Sequence, residues 1–163
     1  MRKIFALMVV LSAVMSGTAT AGLVDFNMVV DASHATTLTY AGGSNPFVGV
    51  DIPVQTIVSS GTPLNPGASL VLNGRFDFTT GGYTGSSGTD WNFAPGGTFS
   101  ITNSSSTSIA GTFIGDTRII DLGAGSFKVF GAAIIGSLNS DIAAYYGLPT
   151  ALSSPVLGGI ALL

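Results

Sequence analysis

Short stretches in which apolar and polar residues alternate recur along the chain and predict β-strands. The clearest lies at 69–78, where Leu70, Leu72, Phe76 and Phe78 fall on one face. Alternate side chains of a strand point to opposite sides of a sheet, so this stretch predicts a half-buried strand. Similar stretches recur about every 10 residues, with Gly, Ser, Asn or Pro between them. They lie at 23–30, 36–40, 54–58, 98–102, 108–114, 117–122, 126–135 and 156–163.

This regular spacing predicts an all-β fold, an antiparallel β-sandwich of about 8 to 10 strands. One segment departs from the pattern and predicts a single short helix over 140–146. Asn139 or Ser140 can cap its start, and Gly147 suits its end. Because so short a helix is not stable alone, we expect it to pack on the sheet. The expected contacts are Ile142, Tyr145 and Tyr146.

The first 21 residues predict an export signal. Two basic residues precede an apolar run at 4–15, and Ala19 and Ala21 form an A-x-A pattern before Gly22. The run is shorter than the roughly 20 residues that span a bilayer, which favours a cleaved signal peptide over a membrane anchor. We therefore expect a single domain at 22–163, without an integral membrane anchor after cleavage. Its expected location is extracellular or at the cell surface, with the periplasm as an alternative.

The composition excludes several classes of function. Only 8% of the 163 residues are charged, and Cys is absent, whereas an ordinary domain is about 25% charged. Without Cys the chain forms no disulfides, thiolate zinc sites or iron–sulfur clusters. Beyond the N-terminal signal, the chain has three basic residues, Arg75, Arg118 and Lys128, and eight acidic residues, all of them Asp. So few cations argue against a nucleic-acid partner.

The candidate catalytic side chains have simpler explanations. His34 is the only histidine, and no G-x-S-x-G motif accompanies it. Asp51, Asp90 and Asp116 lie beside predicted turns, where Asp is favoured because it forms local hydrogen bonds. We therefore predict no catalytic residues and no enzymatic activity.

A Gly- and Ser-rich stretch at 81–97 is predicted to be the main loop, and it holds Tyr83 and Trp91. Exposed aromatic rings can contact sugars and mark interaction surfaces; alternatively, Trp91 folds back to cap the core. Asp90 and Asn92 in the same stretch are the candidate ligands for calcium, which prefers oxygen. The spacing of an EF-hand is absent, and no other metal or cofactor is expected.

The second half of the chain resembles a known family. The phrases that carry the resemblance are GTFSITN at 97–103, IAGTFIG at 109–115, SFKVFG at 126–131 and GSLNSDIAAYYGLP at 136–149. They resemble secreted proteins with a PEP-CTERM sorting signal, found in environmental Gram-negative bacteria that make exopolysaccharide. The resemblance implies an exported Gly/Ser/Thr-rich β-domain at the surface or in the matrix, with no catalytic residues to assign.

One departure from that family bears on sorting. The family's C-terminal signal has a Pro-Glu-Pro-like motif, a membrane-spanning stretch and a basic cluster, and these are missing from the sequence up to Leu163. Two alternatives follow: the protein is released rather than sorted, or the sequence is truncated at its C-terminus.

The sequence thus predicts a secreted, non-enzymatic surface or extracellular-matrix protein that acts by adhesion or self-assembly. Low charge leaves its sheet edges with little protection against pairing with another strand. The expected partners are a second copy, matrix polysaccharide or other surface proteins. The alternative is a carbohydrate-binding module, calcium-assisted in one version, that binds through Tyr83 and Trp91.

Overall fold

The computed structural model describes residues 25–30, 37–104, 106–123, 126–150 and 156–158. Several predictions made from the sequence fall outside these ranges. They are the signal peptide at 1–21 with Ala19, Ala21 and Gly22, the histidine His34, and the end of the last predicted strand.

The described residues form ten β-strands and one α-helix. The strands are β1 (Asp25–Val30), β2 (Thr37–Tyr40), β3 (Pro46–Ser60), β4 (Ser69–Ser87), β5 (Asp90–Phe93), β6 (Gly97–Asn103), β7 (Ser106–Phe113), β8 (Thr117–Gly123), β9 (Ser126–Leu138) and β10 (Val156–Gly158). The helix α1 spans Ser140–Tyr146 and lies between β9 and β10.

The prediction of an all-β, antiparallel fold is confirmed. Every pairing between described strands is antiparallel. Backbone hydrogen bonds join the ten described strands into one sheet. A sandwich of two separate sheets is therefore not confirmed.

Some strands of the sheet follow one another in line and together form a long row. β6 and β5 form one row, and both pair with the same edge of β4. β7 and β8 form the next row: β7 pairs with β6, and β8 pairs with β5. β9 then pairs with both β8 and β7. At the two margins, β1 (on β3) and β10 (on β9) approach each other. The sheet is therefore curled around an interior.

Two adjacent rows are interrupted at the same level, at 94–96 and 114–116. A backbone hydrogen bond from Gly96 N to Phe113 O, 2.9 Å long, links the two interruptions. On β4 at this level, a side chain at Gly81 would run into the carbonyl oxygens of Ala94 and Pro95. Glycine permits this close approach of two backbones.

The interior is apolar and runs the length of β4. Phe76, Phe93, Ile57, Ile119 and Val129 have no measurable exposure. Half-buried rings lie against this core near the end of β4, and α1 packs against it near the start of β4. The curled sheet therefore has two different ends, called here the aromatic end (Tyr40, Tyr83, Trp91 and Phe127) and the helix end (α1 and the start of β4).

The predicted helix is confirmed in its bounds and caps. The Asn139 side chain accepts a hydrogen bond from the backbone N–H of Asp141, and Gly147 ends the helix in the left-handed conformation. Ile142 and Tyr146 are buried and Tyr145 is half-buried, so all three expected residues pack inward.

The prediction of a main loop at 81–97 is wrong. β4 continues to Ser87, and β5 returns from Asp90 after a turn at Gly88 and Thr89. Gly and Ser suggested a loop by composition, but cross-strand pairing holds the segment extended: Tyr83 pairs with Phe93, and Ser87 with Asp90.

Candidate functional site

Tyr83 and Trp91 lie on the inner face of the sheet. Tyr83 is the cross-strand partner of the buried Phe93, and Trp91 lies two residues before Phe93 on the same strand. Residues in these positions share one face. Both side chains are half-buried and pack against the core.

Neighbouring protein rings surround both residues. The Trp91 ring centroid lies 5.9 Å from Phe47, 6.0 Å from Tyr40 and 6.3 Å from Phe127. Tyr83 lies 5.4 Å from Tyr40. These are the separations of packed aromatic pairs, so this geometry matches the core-capping alternative for Trp91. Burial raises the pKa of Tyr40, and the neighbouring Tyr83 adds to the effect.

Asp90 and Asn92 alternate with Trp91 and Phe93 along β5, so they belong to the outer face of the sheet. The Asp90 carboxylate forms an ion pair with Arg118 on the adjacent β8. The negative charge of Asp90, which would attract calcium, is therefore already balanced by the Arg118 guanidinium. Within the described ranges, no three or more His, Cys, Asp or Glu side chains form a group able to hold a metal ion.

The remaining carboxylates that were considered for catalysis lie apart on the surface. Asp51 occupies a bulge of β3 and pairs with Arg75 at 3.4 Å. Its backbone N–H donates to Asp77 at 2.8 Å. Asp116 is exposed between β7 and β8. The structure does not bring Asp51, Asp90 and Asp116 together into one described site.

A groove of about 550 Å³ lies at the helix end, called here the helix-end groove. Its apolar lining comes from the start of β4, including Leu70 and Leu72, and from Ile142 of α1. Its polar lining comes from the turn after β6, from β7, and from the start of α1. Such a mixed apolar and polar lining is typical of small-molecule sites.

Three polar side chains in the groove have capacity to bind a ligand. Ser108 is 4% exposed, and its hydroxyl forms no hydrogen bond within the described part of the chain. Asp141 is exposed, and its carboxylate accepts no hydrogen bond from the described residues. Asn139 also lines the groove; its side-chain oxygen caps α1, and its amide N–H groups remain as donors.

Two tyrosines hold α1 in place beside the groove. Tyr146 donates its hydroxyl toward Ile57 O (3.1 Å) and Ala68 O (3.0 Å) inside the protein. Tyr145 lines the groove, and its hydroxyl lies 3.4 Å from Ser69 O. Asn65 donates to the backbone oxygen of Tyr145 at 2.7 Å. The wall formed by α1 is therefore fixed to the start of β4.

A second surface stands out on the outside of β3, β4, β6 and β7. In-register pairs place Val48, Thr79, Thr98 and Thr112 in one line across these strands. A second line holds Asp77, Ser100 and Ala110. Together with Val50, these seven residues define the outward face. Asp77 is its one charged member, and the Asp51–Arg75 ion pair borders it.

Sequence reasoning missed the helix-end groove as a site. Asn139 and Tyr145 were recognised for their part in the helix, but nothing linked them to β4. Their juxtaposition depends on the pairing of β7 with β9, which carries α1 to the start of β4.

Comparisons with known proteins add no relative to these observations. No protein-family model matches the chain, and neither the curated proteins nor the solved structures gave a significant match. Within the described ranges, the helix present is far shorter than a membrane crossing requires.

Proposed function

We propose that this protein is an exported, non-enzymatic surface or extracellular-matrix protein that acts by adhesion or self-assembly. The observation that carries the proposal is the outward face. It extends over four neighbouring strands and presents threonine, serine, alanine and valine with a single carboxylate.

The chemistry of this face favours contact with a similar face of a second copy. Small and β-branched side chains line this face, Val50 is 46% exposed on it, and an open depression of about 380 Å³ lies within it. The carboxylate of Asp77 accepts the backbone N–H of Asp51, so part of its hydrogen-bonding capacity is already used. With so little charge, two such faces meet with little electrostatic repulsion, which charged surfaces normally provide.

The proposal is tested by light scattering after size-exclusion chromatography of residues 22–163 over a concentration series. The expected result is a mean mass that rises with concentration. The double variant Thr98→Lys/Ala110→Lys places two positive charges on the outward face, and we expect it to stay monomeric. Ser87→Lys, at the tip of the β4–β5 hairpin, is the control and should assemble like the wild type.

A monomer at every concentration would contradict self-assembly. Assembly that is equal in the wild type and the double variant would contradict the role of the outward face. Repeating the series with calcium tests the ion separately. A calcium-dependent mass that Asp90→Asn abolishes would support the candidate ligands Asp90 and Asn92, and no dependence would count against them.

Carbohydrate binding is the second candidate function. The observation that favours it is the helix-end groove, where a half-buried tyrosine lies beside a hydroxyl and a carboxylate that have no hydrogen-bond partner among the described residues. Tyr83 and Trp91 support it less well because their rings pack against Tyr40, Phe47 and Phe127.

A further inference from the structure

We propose that the helix-end groove is a binding site for a neutral oligosaccharide, with Ser108, Asn139 and Asp141 contacting its hydroxyl groups and Tyr145 contacting a ring face. The inference rests on carbohydrate binding, the second candidate function given above, for which it names the ligand class and the contacting residues. It concerns a surface separate from the outward face.

The Ser108 hydroxyl is the first reason to expect a ligand. Ser108 is 4% exposed, lines the groove and has no hydrogen-bond partner for its hydroxyl within the described part of the chain. Its oxygen is not cut off from solvent, since Thr117 Oγ1 is the one buried side-chain atom without a partner among the described residues, so the Ser108 hydroxyl is open to the groove. A ligand hydroxyl in the groove would supply that partner.

The distribution of apolar and polar groups is the second reason. A sugar ring combines C–H faces with hydroxyl edges. The groove offers Leu70, Leu72 and Ile142 on the apolar side, and the Asn139 amide and Asp141 carboxylate on the polar side. Its volume of about 550 Å³ lies in the range of small-molecule sites, about 300 to 1,000 Å³.

The Tyr145 ring supplies an aromatic wall whose position is already fixed. Tyr145 packs edge to face against Tyr146, with ring centroids 4.9 Å apart. Tyr146 is itself buried and hydrogen-bonded to the backbone of β3 and of the segment before β4. A side chain that is already ordered loses little conformational entropy when a ligand binds, so the entropic cost of binding is lower.

The charge of the groove disfavours an anionic ligand. The described lining of the groove includes Asp141 and no Lys or Arg. A uronate or sulfated chain would bring a second negative charge to an unpaired carboxylate, which disfavours binding. A neutral sugar avoids this repulsion, and a carboxylate accepts hydrogen bonds from sugar hydroxyls strongly because it is charged.

The test is calorimetric titration of residues 22–163 with five defined hexamers. Three are neutral: cellohexaose, laminarihexaose and hexa-N-acetylchitohexaose. One is anionic, hexagalacturonate, and one is cationic, the chitosan hexamer. We expect at least one neutral hexamer to bind with a Kd of about 1 mM or below, and hexagalacturonate not to bind. No binding by any neutral hexamer, or binding by a charged hexamer alone, would overturn the proposal.

Variants then locate the site. Asp141→Asn and Ser108→Ala each remove hydrogen-bonding capacity, and we expect Asp141→Asn to weaken binding about tenfold. Tyr145→Leu keeps an apolar side chain but removes the ring, and should also weaken binding. Asp116→Asn, which changes an exposed carboxylate between β7 and β8, is the matched carboxylate control and should bind like the wild type.

Two further results separate this proposal from the proposed function. In one, the groove variants leave the binding of a neutral hexamer unchanged and Trp91→Phe abolishes it. This result would overturn the groove as the binding site without contradicting adhesion. Concentration-dependent assembly without any sugar binding would likewise overturn the groove alone. Circular dichroism of each variant shows whether it remains folded, and Asp141→Asn is the variant expected to change the fold least because its side chain is exposed.

Discussion

The two ends of the curled sheet close the same core in different ways. At the aromatic end, rings from four strands fill the space: Tyr40, Tyr83, Trp91 and Phe127. At the helix end, one seven-residue helix covers the core and leaves the helix-end groove beside it. The comparison shows that aromatic residues mark a filled end here, whereas available polar groups mark the end suited to a ligand.

The largest expected effect tests whether the aromatic end is core. We expect Trp91→Ala to lower the free energy of unfolding by about 2 to 4 kcal/mol, somewhat less than truncating a fully buried Trp because Trp91 is half-buried. Urea denaturation measures the change. Leu122→Ala, at a position 50% exposed, is the control and should change stability by less than about 0.5 kcal/mol. An equally small effect for Trp91→Ala would contradict the assignment of the Trp91 ring to the core. It would favour an exposed ring that is available to bind a ligand.

The next effect tests how α1 is held at the helix end. Tyr146→Phe removes the hydroxyl that lies near Ile57 O and Ala68 O. We expect a loss of about 1 to 2 kcal/mol, because a typical hydrogen bond contributes about 1 kcal/mol. Tyr145→Phe is the matched control, since its hydroxyl makes one contact of 3.4 Å. Equal losses for the two variants would contradict a special role for Tyr146.

The same tyrosine predicts a pH dependence. Burial raises the pKa of Tyr146 above its ordinary value of 10.0, and Tyr145 adds to the shift, while a backbone hydrogen bond at Ser59 opposes it. Because the pKa is raised in the folded state, the protonated Tyr146 hydroxyl contributes stability that is fully present below the unfolded pKa. This stability is lost as pH rises through the folded pKa. We expect the wild type to lose stability above about pH 10 more steeply than Tyr146→Phe. Denaturation curves at pH 8 to 11 that are parallel for both would contradict this.

The smallest effect concerns a buried hydroxyl near the aromatic end. Thr117 is fully buried opposite Phe93, and its hydroxyl has no hydrogen-bond partner in the described part of the chain. We expect Thr117→Val to raise the free energy of unfolding by about 1 kcal/mol, because the unpaired polar atom is removed at equal shape.

Thr80→Val is the matched control for that change. Thr80 is also buried, but its hydroxyl accepts the N–H of Phe47 at 2.9 Å and donates to Gly81 O at 2.8 Å. Its substitution should destabilise the protein. Destabilisation by Thr117→Val as well would show that the Thr117 hydroxyl has a partner after all.

Much of the fold could be predicted from local patterns. Asn139 and Gly147 mark the ends of α1 by cap chemistry that acts within a few residues. Alternation at Leu70, Leu72, Phe76 and Phe78 marks the inner face of β4. The hairpin at 81–93 was missed because Gly and Ser are common in turns, whereas here cross-strand pairs such as Tyr83 with Phe93 keep the chain extended.

The candidate site was less predictable because it depends on contacts between distant parts of the chain. Asp90 and Asn92 are adjacent to Trp91 in sequence, but strand alternation places them on the other side of the sheet. Tyr145 and Ser69 lie 76 residues apart and meet only in the fold. A single sequence contains no direct signal for such a pairing, so the helix-end groove became visible only with the structure.

The most direct test of the account is to map a bound sugar on the backbone. Isotope-labelled protein is titrated with the neutral hexamer that binds, and amide chemical shifts are recorded by NMR. We expect the largest shifts to cluster at Leu70–Leu72, Ser108 and Asn139–Tyr145. Shifts centred on Tyr83 and Trp91 would contradict it, because the aromatic end would then be the binding end.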